Sequence, residues 1–473
     1  MAGYSREESS YSKRQLTYLV DSLKSEFFVD DVQEGALIRA DADVRVVHAL
    51  DAQTGEICWQ RPVDLTGCSG DRMGAAYSDG MLFFFGNYGN HDAWRFRVGG
   101  LKWRRITALS GASGDMVWSR PLNYRTRPVI IDDKIILEPQ ACDLHTGEIK
   151  MRTHPITGEQ VPWEFLRPGH TCGLTAASTN GLFYRSASTA FYDLAEDRGV
   201  TTFGGYRPGC AISVIPASGV LLSPEAAAGC TCSYPIRCTF VMKRKANRAQ
   251  PWTVYVTPGA LLPVKHFAIN LGASADMKDK EGTVWFGYPN PRTDSYNHFS
   301  NYGIKFDLHD EFIPGTGYFR QDFRGLDIDG TDKPWLFVSG CLGFQRCTVP
   351  LIDPNSEDGP GIYTVRLGFK AAADDQPGRR IFDIKLQGQV VWKDFDICQA
   401  TGDCNMALIK EFKDIKVESD LVLELVPRTS LELDRVPIIN FIEVVRTDEP
   451  ETAKNGPKKP TQAGQTLNSI ASI

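Results

Sequence analysis

The feature that most constrains this chain is a unit that recurs through its first half: an apolar run, a two-residue turn and a second apolar run. Four copies stand out, GAAYS-DG-MLFFF around Asp79-Gly80, PVII-DD-KIILE around Asp132-Asp133, TAAST-NG-LFYRS around Asn180-Gly181 and SVIPA-SG-VLLSP around Ser218-Gly219. Asp-Gly and Asn-Gly between β-rich runs predict hairpins, because a type I′ turn needs positive φ at both central positions. A second piece follows several of these: HALDAQTGEICW ending at Trp59, TALSGASGDMVW ending at Trp118 and ACDLHTGEIKM ending at Met151. Each meets a turn at Gly55, Gly114 or Gly147 and leaves as another strand. Two hairpins in succession make a four-stranded meander.

Arg-Pro pairs at 127–128, 167–168 and 207–208 recur with a period of 40 residues. Four strands per unit of about 40 residues predict an all-β chain whose first part is a β-propeller. The repeat resembles that of quinoprotein-type propellers, on Ala49-Leu50-Asp51, Thr54-Gly55 and Trp59, on Ala108-Leu109, Ser113-Gly114 and Trp118, and more weakly on His145-Thr146-Gly147. It covers roughly residues 36–250, about five blades, and 36–258 is read as the propeller. Residues 1–35 are an uncertain segment that could hold a degenerate blade.

The character changes near Leu262. HFAINLGASADMKDKEGTVWFGYP resembles the opening of malectin-like domains, with Asn270, Gly272, Asp279, Gly282 and Trp285 carrying the match. GIYTVRLGF, RRIFDIKLQGQVVW, LVLELVP and PIINFIEVV resemble that family's later strands. The resemblance implies a carbohydrate-binding β-sandwich over 265–447, and the alternating apolar residues fit two packed antiparallel sheets. Residues 448–473, rich in Lys, Pro, Gly and Thr, are expected to be disordered.

Charge and cysteine usage bound the function. With 52 Lys and Arg against 58 Asp and Glu, the net charge is −6, which excludes a strongly basic nucleic-acid binder. No run of about 18 apolar residues predicts a membrane span, and the opening residues lack the apolar core of a secretory signal. Twelve cysteines nevertheless point to an oxidising, extracytoplasmic compartment. Cys341 with Cys347 and Cys398 with Cys404, each six apart, are expected to form local disulfides.

Candidate site residues cluster after the Arg-Pro pairs, where a propeller's loops open onto its channel. Arg125, Arg127, Arg167 and Arg207 could form a cationic ring for the carboxylate or sulfate of an acidic polysaccharide, or could pair with neighbouring acidic groups. His170, Cys172, Cys210, Cys230 and Cys232 match a ligand set for Zn²⁺ or Cu(I), although their spacing is not that of a zinc ribbon. Disulfides such as Cys172 with Cys210, and Cys230 or Cys232 with Cys238, are the alternative. His170 with Tyr184 or Tyr192 could supply the base for elimination on a uronate.

Pyrroloquinoline quinone is not expected: the adjacent cysteines of the enzymes that use it are missing, and no cofactor is called for. In the malectin-like part Trp285, Tyr288, Tyr296 and Phe299 are candidates for stacking on sugar rings, with a core role for Trp285 equally open. Three functions follow as expectations: glycan recognition by a propeller joined to a carbohydrate-binding sandwich, a propeller-fold polysaccharide lyase, and a non-catalytic interaction propeller.

Overall fold

The structure, a computed structural model, describes residues 43–448 except 69–72, 87–103, 168–171, 187, 204–207, 210–213, 226–237, 244–251, 290–303, 305, 307, 322–327 and 429. Among the described residues the protein is all-β, with little beyond a 3-10 turn at Pro334–Leu336 and a five-residue helix, Ile397–Thr401, to interrupt the strands. Two compact units divide it. The first comprises Met1–His154, Glu159–Gly259 and Ala273–Lys305; the second comprises Pro155–Gly158, Ala260–Gly272 and Phe306–Ile473.

The first unit is a succession of small antiparallel sheets whose strands pair in sequence order. Val44–Leu50 pairs with Ile57–Asp64, and Met73–Ser78, Met81–Gly86, Arg105–Ser110 and Met116–Pro121 form a four-stranded meander. Val129–Ile131, Lys134–Ile136 and Ala141–Asp143 make three strands, and Met151–Thr153 pairs with Gln160–Pro162. Ala176–Ser178, Gly181–Ser186, Ser188–Asp193 and Val200–Thr202 form a second four-stranded meander; Ile215–Ala217, Val220–Ser223 and Phe240–Lys243 make three strands. The four-stranded unit expected from sequence is therefore present at 73–121 and 176–202. The other sheets carry two or three strands, and the described residues show no closed ring.

Turn chemistry accounts for most of these hairpins. Asp79-Gly80 and Ser218-Gly219 both take positive φ, and Asp132 does so at the head of Asp132-Asp133. The fourth turn differs from expectation. Its central residues are Thr179 and Asn180, and Gly181 opens the returning strand opposite Ser178, outside the left-handed region. The core sets this register: Ala177 lies opposite Leu182, and both pack into one aromatic cluster.

Successive sheets share faces. Val63, Leu65 and Cys68 pack with Phe84 and Leu109; Phe83, Ile106 and Trp118 pack with Ile135, Cys142 and Leu144; Ile136 and Phe165 pack with Leu182, Tyr184 and Tyr192. Two tryptophans lock sheet to sheet. Trp59 Nε1 donates to the carbonyl of Gly111 at 2.8 Å, and Trp118 Nε1 donates to that of Leu144 at 3.0 Å. Gly114 and Gly147 take positive φ beneath these indoles, where a Cβ would lie 2.6 and 2.7 Å from ring carbons. Only glycine fits both demands.

The second unit is a sandwich of two antiparallel sheets. One contains His266–Leu271, Phe441–Arg446, Gly361–Phe369 and Leu408–Val417, paired in that order. The other contains His309–Arg320, Ser339–Pro350, Asp420–Pro427, Ile381–Leu386 and Gln389–Asp396, and Ile438–Ile439 also pairs with Ser339–Pro350. Strand 420–427 alternates cleanly, Leu421, Leu423 and Leu425 being buried with Tyr363, Val365 and Leu367 of the facing sheet. Period-two burial is what packing on one face requires.

The two expected local disulfides part company here. Cys398 and Cys404 are bonded. Cys341 and Cys347 are free and buried on the single strand Ser339–Pro350. Residues along an extended strand do not turn back on themselves as the helix and reversal at Cys398–Cys404 do, and these two thiols stay unbonded.

Candidate functional site

In the first unit, two of the four expected arginines meet at one carboxylate. Arg167 Nη2 lies 2.7 Å from Glu138 Oε2 and Arg125 Nη1 lies 3.6 Å from Glu138 Oε1. Arg167 also donates from Nε to Glu138 Oε2 at 2.8 Å and from Nη1 to the carbonyl of Gly173 at 3.1 Å. Next to them, buried Arg104 donates from Nη1 to the carbonyls of Tyr124 and Arg125. Burial alone would raise the Glu138 carboxyl; the guanidiniums of Arg167 and Arg125 hold it below its usual range. Charges this deep persist only when paired, so Arg125 and Arg167 are committed to Glu138 rather than turned outward to an anion. Arg127 is exposed, and Arg207 lies outside the described residues.

The two candidate tyrosines are core side chains. Tyr184 packs with Phe165 and Tyr192 with Trp163, both phenols fully enclosed, and burial raises both pKa values far above the usual range. Tyr192 donates its hydroxyl to the Asp197 carboxylate. His170, Cys210, Cys230 and Cys232 lie outside the described residues, and Cys172 is half-buried. Among the described residues no group of three or more His, Cys, Asp or Glu could hold a metal ion. Cys238 is a free, exposed thiol and so does not form the disulfide expected with Cys230 or Cys232.

The motif residues of the second half have mostly structural geometry. Asn270 is fully buried and accepts a hydrogen bond from the Ser339 hydroxyl at 3.2 Å. Gly272 takes positive φ where a Cβ would come within 2.5 Å of the Phe319 carbonyl oxygen. Asp279 accepts from the Thr283 backbone N–H at 2.8 Å and from Trp285 Nε1 at 2.9 Å, with Gly282 supplying the positive φ between them. Trp285 is buried, so its indole fixes this loop. Tyr288 is half-buried at the end of its strand, and Tyr296 and Phe299 lie outside the described residues.

The family model of the malectin domain matches residues 265–432. The chain carries a malectin domain. No curated protein matches the chain. Among solved structures it is similar to Bacteroides uniformis β-glucuronidase 2 covalently bound to cyclophellitol-6-carboxylate aziridine, at 15% identity and a TM-score of 0.29 over 46% of this chain and 24% of that one. It is also similar to the ANX2 ectodomain of Arabidopsis thaliana, at 16% identity and a TM-score of 0.27 over 39% and 42% of the two chains. A third likeness is to a complex of the plant peptide RALF23 with FER and LLG2, at 17% identity and a TM-score of 0.29 over 38% and 48%. The chain spans less than half the length of each of these.

The malectin domain also holds a buried ionic cluster that sequence reading missed. Asp375 takes Arg380 in a two-pronged pair at 2.8 and 3.0 Å, and Arg380 Nη1 donates to the Val436 carbonyl. Buried Lys370 donates from Nζ to the Ala371 carbonyl at 3.3 Å, and its backbone N–H donates to Asn440 Oδ1 at 2.7 Å. Burial lowers the Lys370 pKa. In the sequence Asp375 and Arg380 stand beside further charges, Asp374 and Arg379, and nothing local marks which of them are enclosed; the fold brings Arg380 to the Val436 carbonyl.

Proposed function

We propose that this protein recognises glycans outside the cytoplasm through its malectin domain, with the serial sheets of the first unit as a quinoprotein-type propeller scaffold. The observation that carries this reading is the match of residues 265–432 to the malectin domain model. The Cys398–Cys404 disulfide supports the compartment, because such bonds persist where the medium is oxidising. Face-to-face packing of successive sheets, locked by Trp59 and Trp118, supports the scaffold. Sugar rings stack on aromatic side chains and their hydroxyls need convergent polar groups, a task assigned here to Tyr288, Tyr296 and Phe299 and their sequence neighbours.

A glycan array probed with the full chain, carrying neutral and uronate-bearing oligosaccharides, tests the proposal. Binding is expected, and Tyr288→Ala is expected to weaken it about tenfold. A blank array overturns it. Elimination chemistry in the first unit gains no support from Tyr184 and Tyr192, whose phenols are enclosed. Incubation with uronate polysaccharides is expected to give no rise in the absorbance of unsaturated product.

A further inference from the structure

The interlock that joins successive sheets also has an exposed counterpart at the start of the first unit. In the interior it appears twice in the same form. Trp59 donates to Gly111 while Arg61 Nε donates to the carbonyl of Ser113 at 2.8 Å, and Trp118 donates to Leu144 while Arg120 Nε donates to the carbonyl of Thr146 at 3.2 Å. Each receiving turn has the same build: a chain reversal closed by Gly114 N–H to Ser110 O or Gly147 N–H to Asp143 O, with positive φ at the glycine. Both glycines are buried beneath the indole that lands on them.

The turn Asp51–Gly55 has that build as well. Gly55 N–H donates to Asp51 O at 2.8 Å, the Asp51 carboxylate accepts from the N–H groups of Gln53 and Thr54, and Gly55 takes positive φ. Here, however, no described residue lies within 4 Å of a Cβ on Gly55, and residues 50–58 are all exposed. The strand before the turn differs in the same way. Leu50 is 58% exposed, whereas Leu109, its equivalent before the next turn, is 0% exposed against Val63 and Leu65 of the preceding hairpin. His48 is exposed where Thr107 is buried.

We infer that the face formed by His48, Leu50 and the turn Asp51–Gly55 docks a partner polypeptide's β-strand bearing a Trp-x-Arg pair. The indole lies over Gly55 and donates to the Ala52 carbonyl, and the guanidinium donates to that of Thr54. The occupant follows from the two interior copies, which show what covers this surface when it recurs. Trp-x-Arg occurs in this chain at 59–61, 103–105 and 118–120; the first and last are already seated, Arg105 is held on the Ser119 hydroxyl at 3.2 Å, and residues 1–41 contain no tryptophan. A buried aromatic anchor beside a directed arginine is also the residue pair that dominates protein interfaces. The inference is independent of the glycan reading.

The probe is a synthetic hairpin of residues 105–122, which carries Trp118 and Arg120 in their own strand, added to the full chain and followed by anisotropy of a label on the hairpin. Saturable binding is expected. Trp118→Ala in the hairpin is expected to weaken it by about tenfold or more, and Arg120→Ala by a smaller factor. Leu50→Lys in the protein is expected to abolish binding while leaving the thermal melt unchanged, since Leu50 already faces solvent. Equal binding of the parent and Trp118→Ala hairpins, or none up to about 1 mM, overturns the proposal. So does self-association of the protein that Leu50→Lys removes without hairpin binding, which would assign the face to a second copy.

Discussion

At the scale of single residues, two buried titratable groups of the first unit act in opposite directions. Asp276 accepts the backbone N–H groups of Tyr255 and Gly287, and burial pushes its carboxyl up from 3.8 to about 6. His154 is also buried, and burial, with the nearby Arg152 charge, lowers its imidazole from 6.5 to about 4. Folded Asp276 holds its proton more tightly than the unfolded chain does, so its contribution is complete below pH 3.8 and lost as pH rises through 6. Folded His154 holds its proton less tightly, so its contribution is complete above pH 6.5 and lost as pH falls through 4. Each shift corresponds to about 3 kcal/mol over its window. The windows overlap with opposite slopes, so the pair leaves the stability of the native first unit nearly flat between them. Asp276→Asn is expected to unmask a steep loss of stability on acidification from 6.5 to 4, and His154→Gln a loss on raising pH from 4 to 6. Denaturation followed across that range checks both, and parallel profiles for the two variants would contradict the assignment.

Elements decide what the cysteines and glycines do. Cys398 lies in a short helix capped by the Asp396 side chain and ended by Gly402 in the left-handed region, and that reversal brings Cys404 back to it. Closing so short a loop constrains the unfolded chain by about 2 kcal/mol, and Cys398→Ser with Cys404→Ser is expected to lower stability by that amount in denaturant titrations. Cys341 and Cys347, with thiols raised by burial, Cys347 to about 12, are expected to react with thiol reagents only after unfolding. Gly272→Ala is expected to cost about 2 kcal/mol or more, since both φ and the Phe319 carbonyl oppose it, while Gly315→Ala, with positive φ in open space, costs about 1 kcal/mol. These cases show what the sequence could reveal. Asp79-Gly80 and the strands of the sandwich were legible because turn chemistry and period-two burial are local. The identical spacing of the two cysteine pairs was not, because six residues turn back on themselves around a helix and do not along a strand. Nor was the fate of Arg125 and Arg167. Arg125 lies outside the 40-residue phase of Arg127 and Arg167, and nothing local announced that Glu138 would stand between Arg125 and Arg167.

On the scale of the whole molecule, charge bears on which glycans the proposed function admits. The chain carries a net charge of −6, and two of the arginines that could have focused a local positive field are neutralised by Glu138. An approaching uronate polymer therefore meets a repulsive field that is felt over a Debye length of about 10 Å at 0.1 M salt and further at lower ionic strength. Neutral sugars, held by ring stacking and hydrogen bonds, are indifferent to it. Affinity for a uronate polysaccharide is accordingly expected to rise about threefold between roughly 20 and 200 mM salt, while affinity for a neutral glycan stays constant. Titration calorimetry across that range distinguishes the cases. An affinity for the acidic polymer that falls as salt is added would mean that a local cationic patch outweighs the net charge, and would return the ligand to exposed Arg127 and its neighbours.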